Sequence, residues 1–263
     1  MIQIKNLQKT YAKKDKLEPF FLNIEELFIQ RNEIVYFVGP NGSGKSTLLS
    51  LIQGQATPDK GSVFINSENQ LKNIDLIKLK PFERAKFLGV VPQDSDESLV
   101  NEMNIIEHVI VSLYLSDKLP WLFPGRKLID ISKTILSKFG MGFEHRLYEF
   151  VGNLSGGERQ ILSFCLATVR KPVVLLLDEF TAALDPQMSL NVLKLVVNHI
   201  KSNKLSALIV THRHKEAIDN ADRIIILHKG RPYKEITRGG PEFNEIELKK
   251  IYNQLYLNHL ESR

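Results

Sequence analysis

The sequence predicts an α/β fold with a mostly parallel sheet and an inserted helical subdomain. Three observations carry this. Short apolar runs alternate with helical patterns from Ile34 to Leu227, the order that builds a parallel sheet. The first of these runs, Ile34–Val38, opens onto Gly39-Pro40-Asn41-Gly42-Ser43-Gly44-Lys45-Ser46-Thr47, a strand, glycine-rich turn and helix start in sequence. Between Asp94 and Gly152 the apolar spacing changes to a helical period.

Taken in order, Met1–Leu7 and Phe20–Leu27 read as strands joined by a basic loop, Lys9–Lys16, in which Tyr11 lies. On residue type alone Tyr11 reads as a hydrophobic surface anchor, with stacking on a purine as the alternative. Leu48–Gln53 continues the helix begun at the glycine turn and stops at Gly54. Val63–Ile65 is a short strand, and Asn66–Lys80 is expected to be turns or irregular helix. Leu88–Val91 is the next strand, ending at Pro92-Gln93. In the inserted subdomain, residues 94–152, Ile105, Val109 and Leu113 mark one helix, and Ile129, Ile131, Ile135 and Leu136 another. Leu119–Gly125, with two prolines, breaks any helix between them. Its Trp121 and Phe123 read equally as a partner-binding knob or as part of the subdomain's core.

The core, residues 1–93 and 153–240, resumes with a helix over about Ser155–Val169, stopped by Pro172. Val173–Leu177 is five apolar residues in a row, right for a strand buried on both faces. A helix near Pro186–Ile200 presents Leu190, Leu193, Val197 and Ile200 on one face. Strand Ala207–Val210, helix Lys215–Asn220 and strand Arg223–Leu227 follow. Residues 241–263 hold a terminal amphipathic helix, Glu245–Leu257, whose stripe of Leu248, Ile251, Tyr252 and Leu255 is expected to pack on its own domain.

Composition narrows the class. A hydrophobic share of 43% and a charged share of 25% are those of a soluble globular protein. No run of about 18 apolar residues exists, so no membrane span is expected. The single cysteine, Cys165, excludes an intramolecular disulfide and fits a reducing compartment. A net charge of +5 favours acidic surfaces without choosing between lipid and nucleic acid. Lys and Arg are spread along the chain rather than gathered in a stripe, so no nucleic-acid partner is expected.

The glycine turn fixes the chemistry. Gly39, Gly42 and Gly44 let backbone N–H groups crowd an anion, since no Cβ stands in the way. The helix start aims its free N–H groups and positive dipole end at the same anion. Lys45 adds a point charge for β- and γ-phosphates, and the Ser46 hydroxyl suits Mg²⁺. An ordinary Gly/Ser turn would not match all these positions between a strand and a helix, so the chain is expected to bind a nucleoside triphosphate. Three more apolar runs end in matching polar groups: Gln93, Asp178-Glu179 and Thr211-His212. Ligands of open parallel sheets bind beyond the carboxyl ends of the strands. Asp178 suits Mg²⁺ through a water, and Glu179 suits the attacking water as its base. Gln93 can reach either, and His212 can hydrogen-bond the γ-phosphate. A second glycine helix start, Leu154-Ser155-Gly156-Gly157-Glu158, is a second phosphate-sized site unless it is only a helix cap. One nucleotide and two such sites suggest a head-to-tail, two-fold dimer with composite sites.

The order of Gly39–Thr47, Gln93, Leu154–Glu158, Leu175–Glu179, Ala183-Leu184-Asp185 and Thr211-His212 resembles the ATP-binding cassette ATPases. The resemblance runs from Ile2 to about Arg231. It implies a P-loop ATPase core with an antiparallel β subdomain beside the inserted α-helical one. It implies ATP and Mg²⁺ as ligands, Tyr11 as the aromatic that stacks on adenine, and Asp185 as the residue that links the two sites across the dimer seam. In transporters of this family the insertion carries the groove for the membrane subunits. Phe180 stands where the family commonly has Pro, Arg213 where an acid is frequent, and Leu166-Ala167-Thr168-Val169 departs from the usual helix. Residues Asp178–Pro186 and the Ala167-Thr168 helix look most like cassettes of amino-acid or small-solute importers.

The expectation is therefore an ATPase subunit on the cytoplasmic face of a membrane, dimeric and clamped to two permease subunits. A substrate-binding protein is a further expected partner. An importer is favoured, since exporters often fuse the cassette to membrane helices. The alternatives are a soluble cassette ATPase switch, for example in iron–sulfur assembly, and the ATPase of a lipid or export system.

Overall fold

The computed structural model describes residues 1–11, 19–66, 73–115 and 125–260. The Trp121–Phe123 segment lies outside them. The chain divides into two compact units, Met1–Ala85 with Lys204–Arg263, and Lys86–Asn203.

The first unit contains two sheets. Strands β1 (Ile2–Tyr11), β2 (Phe20–Ile29), β4 (Lys60–Ile65) and β5 (Ile74–Asp75) form an antiparallel sheet in the order β2-β1-β4-β5. The antiparallel β subdomain implied by the resemblance is thus present. Strand β1 runs further than expected. Lys9, Thr10 and Tyr11 pair with Leu22, Phe21 and Phe20, so Tyr11 ends a strand and does not sit in a loop. Cross-strand pairing holds this polar end extended, and apolar periodicity gives no signal of that. The register of β1 against β4 shifts between Lys5 and Gln8. There Asn6 takes a φ of 48° and Gly61 one of 93°; a Cβ on Gly61 would meet the Asn6 carbonyl. In the polar stretch Asn66–Lys80, of which residues 67–72 lie outside the described residues, the short 3-10 turn at Leu76–Lys78 fits the expected turns or irregular helix, and the two-residue strand β5 departs from it.

In the second sheet β3 (Ile34–Val38) lies between β8 (Ser206–Val210) and β9 (Arg223–His228), parallel to both. Strand β10 (Arg231–Thr237) adds antiparallel to β9. It follows a tight turn at Lys229-Gly230, alternates exposed and more buried residues, and has no apolar run, so no strand signal is legible there. All five residues of β3 and of β8 are buried, as strands covered on both faces require. Helix α1 (Lys45–Gln53) follows β3 and ends at Gly54, φ 89°. Its last carbonyls are taken by Arg84, at the end of α2 (Pro81–Arg84). The guanidinium donates to Leu51 O at 2.8 Å and Ile52 O at 3.1 Å. Helix α7 (His214–Asn220) packs on α8 (Glu245–Leu260). Leu248, Ile251 and Leu255 are buried, and the Tyr252 ring lies 4.5 Å from that of His214. The terminal stripe does pack on its own unit.

The second unit pairs β6 (Leu88–Val91) with β7 (Val174–Asp178) in parallel. Its helices are α3 (Ile105–Tyr114), α4 (Gly125–Leu136), α5 (Gly156–Val169) and α6 (Pro186–Ser202). Helix α5 crosses β6 so closely that a Cβ on Gly89 would come 2.6 Å from Ala167 O. Phe139, Phe143 and Phe164 fill the helical core, with Phe139 stacked on His199 at 4.6 Å. One expected core residue is outside it: Leu190 is 60% exposed. The buried stripe of α6 is Ser189, Val192, Leu193, Val196, Val197 and Ile200. Leu190 is one residue, hence about 100°, off that stripe.

Candidate functional site

In the first unit the glycine turn is built against β9 and β10. A Cβ on Gly39 would run into the Leu227 carbonyl. Gly42 and Gly44 take φ values of 76° and 105°, open to glycine at little cost. Lys45 is 5% exposed and folds back over its own loop, donating to Gly39 O at 2.8 Å and Pro40 O at 3.2 Å. No side chain caps the start of α1 and no acid stands in its first turn, so its positive end is left for a ligand. Asn41 and Ser46 are exposed, Pro40 and Thr47 half-buried. The Ser43 hydroxyl is buried without a hydrogen-bond partner. An orphaned buried hydroxyl beside an uncapped helix start and a lysine fits a phosphate cradle.

Gly230 supports this loop, and the sequence reading did not single it out. Its N–H donates to Ser43 O at 2.9 Å, and its carbonyl accepts from Asn23 N at 2.7 Å. A Gly after Lys229 in a strand-free stretch was the only available signal. Tyr11, 40% exposed, stands beside the loop through Phe20. The two rings are 6.4 Å apart, and Phe20 Cζ is 3.0 Å from where a Gly44 Cβ would sit. Strand register brings His212 to the same edge. Phe37 pairs with Val210, and Thr211 N donates to Phe37 O at 3.2 Å. Gly39 and the exposed His212 therefore leave neighbouring strands at the same level.

In the second unit Val91 pairs with Leu177, so Gln93 and Asp178-Glu179 leave neighbouring strands together. Gln93 is exposed, and Asp178 and Glu179 are half-buried. Glu179 has a φ of 41°, a left-handed conformation uncommon for a residue with a side chain. Its carbonyl accepts from Ala182 N at 2.8 Å, closing the turn in which Phe180 is buried. Glu179 is not the cap of the next helix. That cap is Asp185, whose Oδ1 accepts from Gln187 N at 3.1 Å and Met188 N at 3.0 Å. Asp185 is exposed as well. The Gln93 segment is fastened to α5 at both ends. Gln160 donates to Pro92 O at 2.9 Å, and the Ser98 and Ser163 hydroxyls meet at 2.7 Å. Gln160 and Ser163 were missed; polar residues on the buried face of an apolar helix were the signal.

Helix α5 begins with a capping box. Ser155 Oγ accepts from Glu158 N at 3.3 Å, and Glu158 Oε2 accepts from Ser155 N at 2.9 Å. Ser155 and Gly156 are exposed. Gly157 is buried against α6, where a Cβ would come 2.5 Å from Met188 Cγ and Sδ. Burial raises the Glu158 carboxyl, but hydrogen bonds from Arg146 and Ser155 outweigh it and hold it below the usual range. The two units thus each gather part of the predicted set: Tyr11, the glycine turn and His212 in one, Gln93, Asp178, Glu179, Ser155–Glu158 and Asp185 in the other.

Comparison with known proteins follows the same lines. The profile of the family described as ABC transporter matches residues 22–182. A tyrosine transport ATP-binding protein of Clostridioides difficile is 32% identical over 231 residues, 88% of this chain and 89% of that protein. A lipoprotein-releasing system ATP-binding protein of Coxiella burnetii is 32% identical over 240 residues, 90% of this chain and 97% of that protein. Among solved structures, the dimeric post-hydrolysis state of the ATP-binding cassette MJ0796 with ADP and Pi matches with a TM-score of 0.74 at 28% identity. It covers 91% of this chain and all of that one, 100%.

Proposed function

We propose, since the chain belongs to the ABC transporter family of ATP-binding ATPases, that two copies hydrolyse ATP in shared sites to drive an importer's separate permease subunits. The observation that carries this reading is that one chain has two glycine helix starts, at α1 and α5, but a single P-loop lysine. The α5 start then serves the nucleotide held by the other copy. Among the described residues no helix is long and apolar enough to cross a membrane, which fits a peripheral subunit on the cytoplasmic face. The tyrosine transport relative supports an amino-acid-sized solute and with it a substrate-binding protein. The lipoprotein-releasing relative supports the rival reading, an export system.

The roles divide by chemistry. Gly39–Thr47 cradle the phosphates through backbone N–H groups and the Lys45 charge. Tyr11 stacks on the base. Ser46, Gln93 and Asp178 offer hydroxyl, amide and carboxylate oxygens, the hard donors that Mg²⁺ takes alongside phosphates and water. When bound, the ion neutralises charge on the β- and γ-phosphates. Glu179 takes the proton of the attacking water, and His212 donates to the γ-phosphate. Ser155, Gly156, Gly157 and Glu158 close on the partner's nucleotide, and Asp185 lies at that seam.

Two measurements check this. Tyr11→Ala should weaken ATP about tenfold, the order of a lost base–aromatic stack, without weakening inorganic triphosphate. An equal loss for both would remove the stacking role. For the shared site, Ser43 is 3% exposed while Asn41 is exposed, so Asn41→Cys and Ser155→Cys are the positions to crosslink. The native Cys165 is fully buried, and burial pushes its thiol well up, so background reaction is low. Crosslinks should form between copies with ATP and not without nucleotide. Their absence in an ATP-loaded assembly with its permease would defeat the reading.

A further inference from the structure

The residues around the α5 start hold a charge arrangement that ATP binding alone does not explain. Glu158 carries its carboxylate to the helix start itself, 2.9 Å from Ser155 N. There it competes for the N–H groups and opposes any incoming anion. Arg146 Nη1 meets the other oxygen of Glu158 at 2.5 Å. The same guanidinium is gripped by Glu149, Nε to Oε2 at 2.6 Å and Nη2 to Oε1 at 2.8 Å. Such a fork fixes the orientation of an arginine as no single contact does. The nearby Arg159 faces elsewhere, donating to Leu154 O at 2.8 Å and lying 3.7 Å from Asp96. Among the described residues, Arg146 is the cation hydrogen-bonded to Glu158. All three partners are partly shielded, with side-chain exposures of 34%, 27% and 20% for Arg146, Glu149 and Glu158, so the solvent screens them only in part.

We infer that Arg146 is a positioning residue for the shared ATP site: aligned by Glu149, it holds the Glu158 carboxylate and offsets its charge so that the α5 start can accept the partner's triphosphate. The inference rests on the reading that α5 closes on the nucleotide of a second copy. Without the guanidinium, Glu149 and Glu158 stand as an uncompensated pair of carboxylates beside an anion site. The capping box alone would keep the helix start formed but would leave it repelling phosphate. The low pKa of both carboxyls follows from the same contacts, with Glu149 held down by its bond from Arg146.

A double-mutant cycle in the full chain tests this. The parent is the Glu179→Gln protein, in which ATP is bound without turnover and dimer formation is read by light scattering. Arg146→Met should raise the ATP concentration for half-maximal dimerisation about tenfold. The affinity of the monomer for ADP, which uses the P-loop, should stay within about twofold. In a Glu158→Gln background the same Arg146→Met should shift dimerisation less than threefold, since the carboxylate at the helix start is gone and only that of Glu149, which has no bond to the helix start, is left uncompensated. Arg146→Lys, which keeps the charge but loses the fork, should shift it about threefold and covers the case that the Met variant folds poorly. A merely structural arginine would lower thermal stability in both backgrounds and gain nothing from Glu158→Gln. Equal effects of Arg146→Met in the two backgrounds, or no effect in either, overturn the inference while leaving the dimer reading intact. A parent that never dimerises with ATP and its permease present overturns both.

Discussion

Glu179→Gln should lower ATP hydrolysis about a thousandfold while leaving ATP binding within about twofold. By transition-state arithmetic that is about 4 kcal/mol of barrier, within the range supplied by a positioned general base. The amide has the carboxylate's size and cannot take a proton from water. It also tolerates the left-handed backbone at this position, φ 41°, no worse than glutamate does. The buried Phe180 and the hydrogen bond from Ala182 N to the Glu179 carbonyl do not involve the side chain, so the turn should survive. Single-turnover hydrolysis and equilibrium nucleotide binding, measured on one preparation, separate the two effects. Hydrolysis within tenfold of the unsubstituted protein would remove Glu179 from the chemistry. An equal loss of binding would make it a structural residue.

Gly230→Ala should cost about 3 kcal/mol of stability, the order of a strained backbone plus a lost hydrogen bond. For a chain of this size that lowers Tm by roughly 10 °C. It should weaken ATP as well. Gly230 takes a φ of 77°, and a Cβ there would run into the Phe21 carbonyl. Moving it away would break the bonds to Ser43 O and from Asn23 N, at 2.9 and 2.7 Å, which tie the phosphate loop to β2. Gly239→Ala is the control. Its φ is 85°, but a Cβ there meets nothing within 4 Å, so only the backbone cost of about 1 kcal/mol remains. Calorimetry of both variants checks this. Equal losses would show that the close approach, and not the conformation, is of no consequence.

What the sequence made legible is what one element decides by itself. Ile34–Val38 and Val173–Leu177 announced themselves because strands buried on both faces are apolar throughout. The glycine turn and the second glycine helix start at Ser155 did so because local chemistry demands those residues at those offsets. Tertiary context decided the rest. Tyr11 is held in β1 by pairing with Phe20, and β10 by pairing with β9; neither leaves a periodic trace. Leu190 shows the limit of counting apolar residues on a helix, since a stripe is fixed by which neighbours cover it. Gly230 and Gln160 act through partners far away in the chain, at Ser43 and Pro92, and Arg146 meets Glu158 from a separate element twelve residues earlier; no local pattern marks such contacts.

The grip of Arg84 on the far end of α1 has a further consequence. A helix is a line of aligned peptide dipoles, and this one meets phosphate at its head and a guanidinium on the Leu51 and Ile52 carbonyls at its tail. Once ATP is seated, the short rod lies between opposite poles that both pull on it lengthwise. Each charge acts on its own end turn, and the segment that carries Arg84 is tethered to the same short element that carries the phosphate loop.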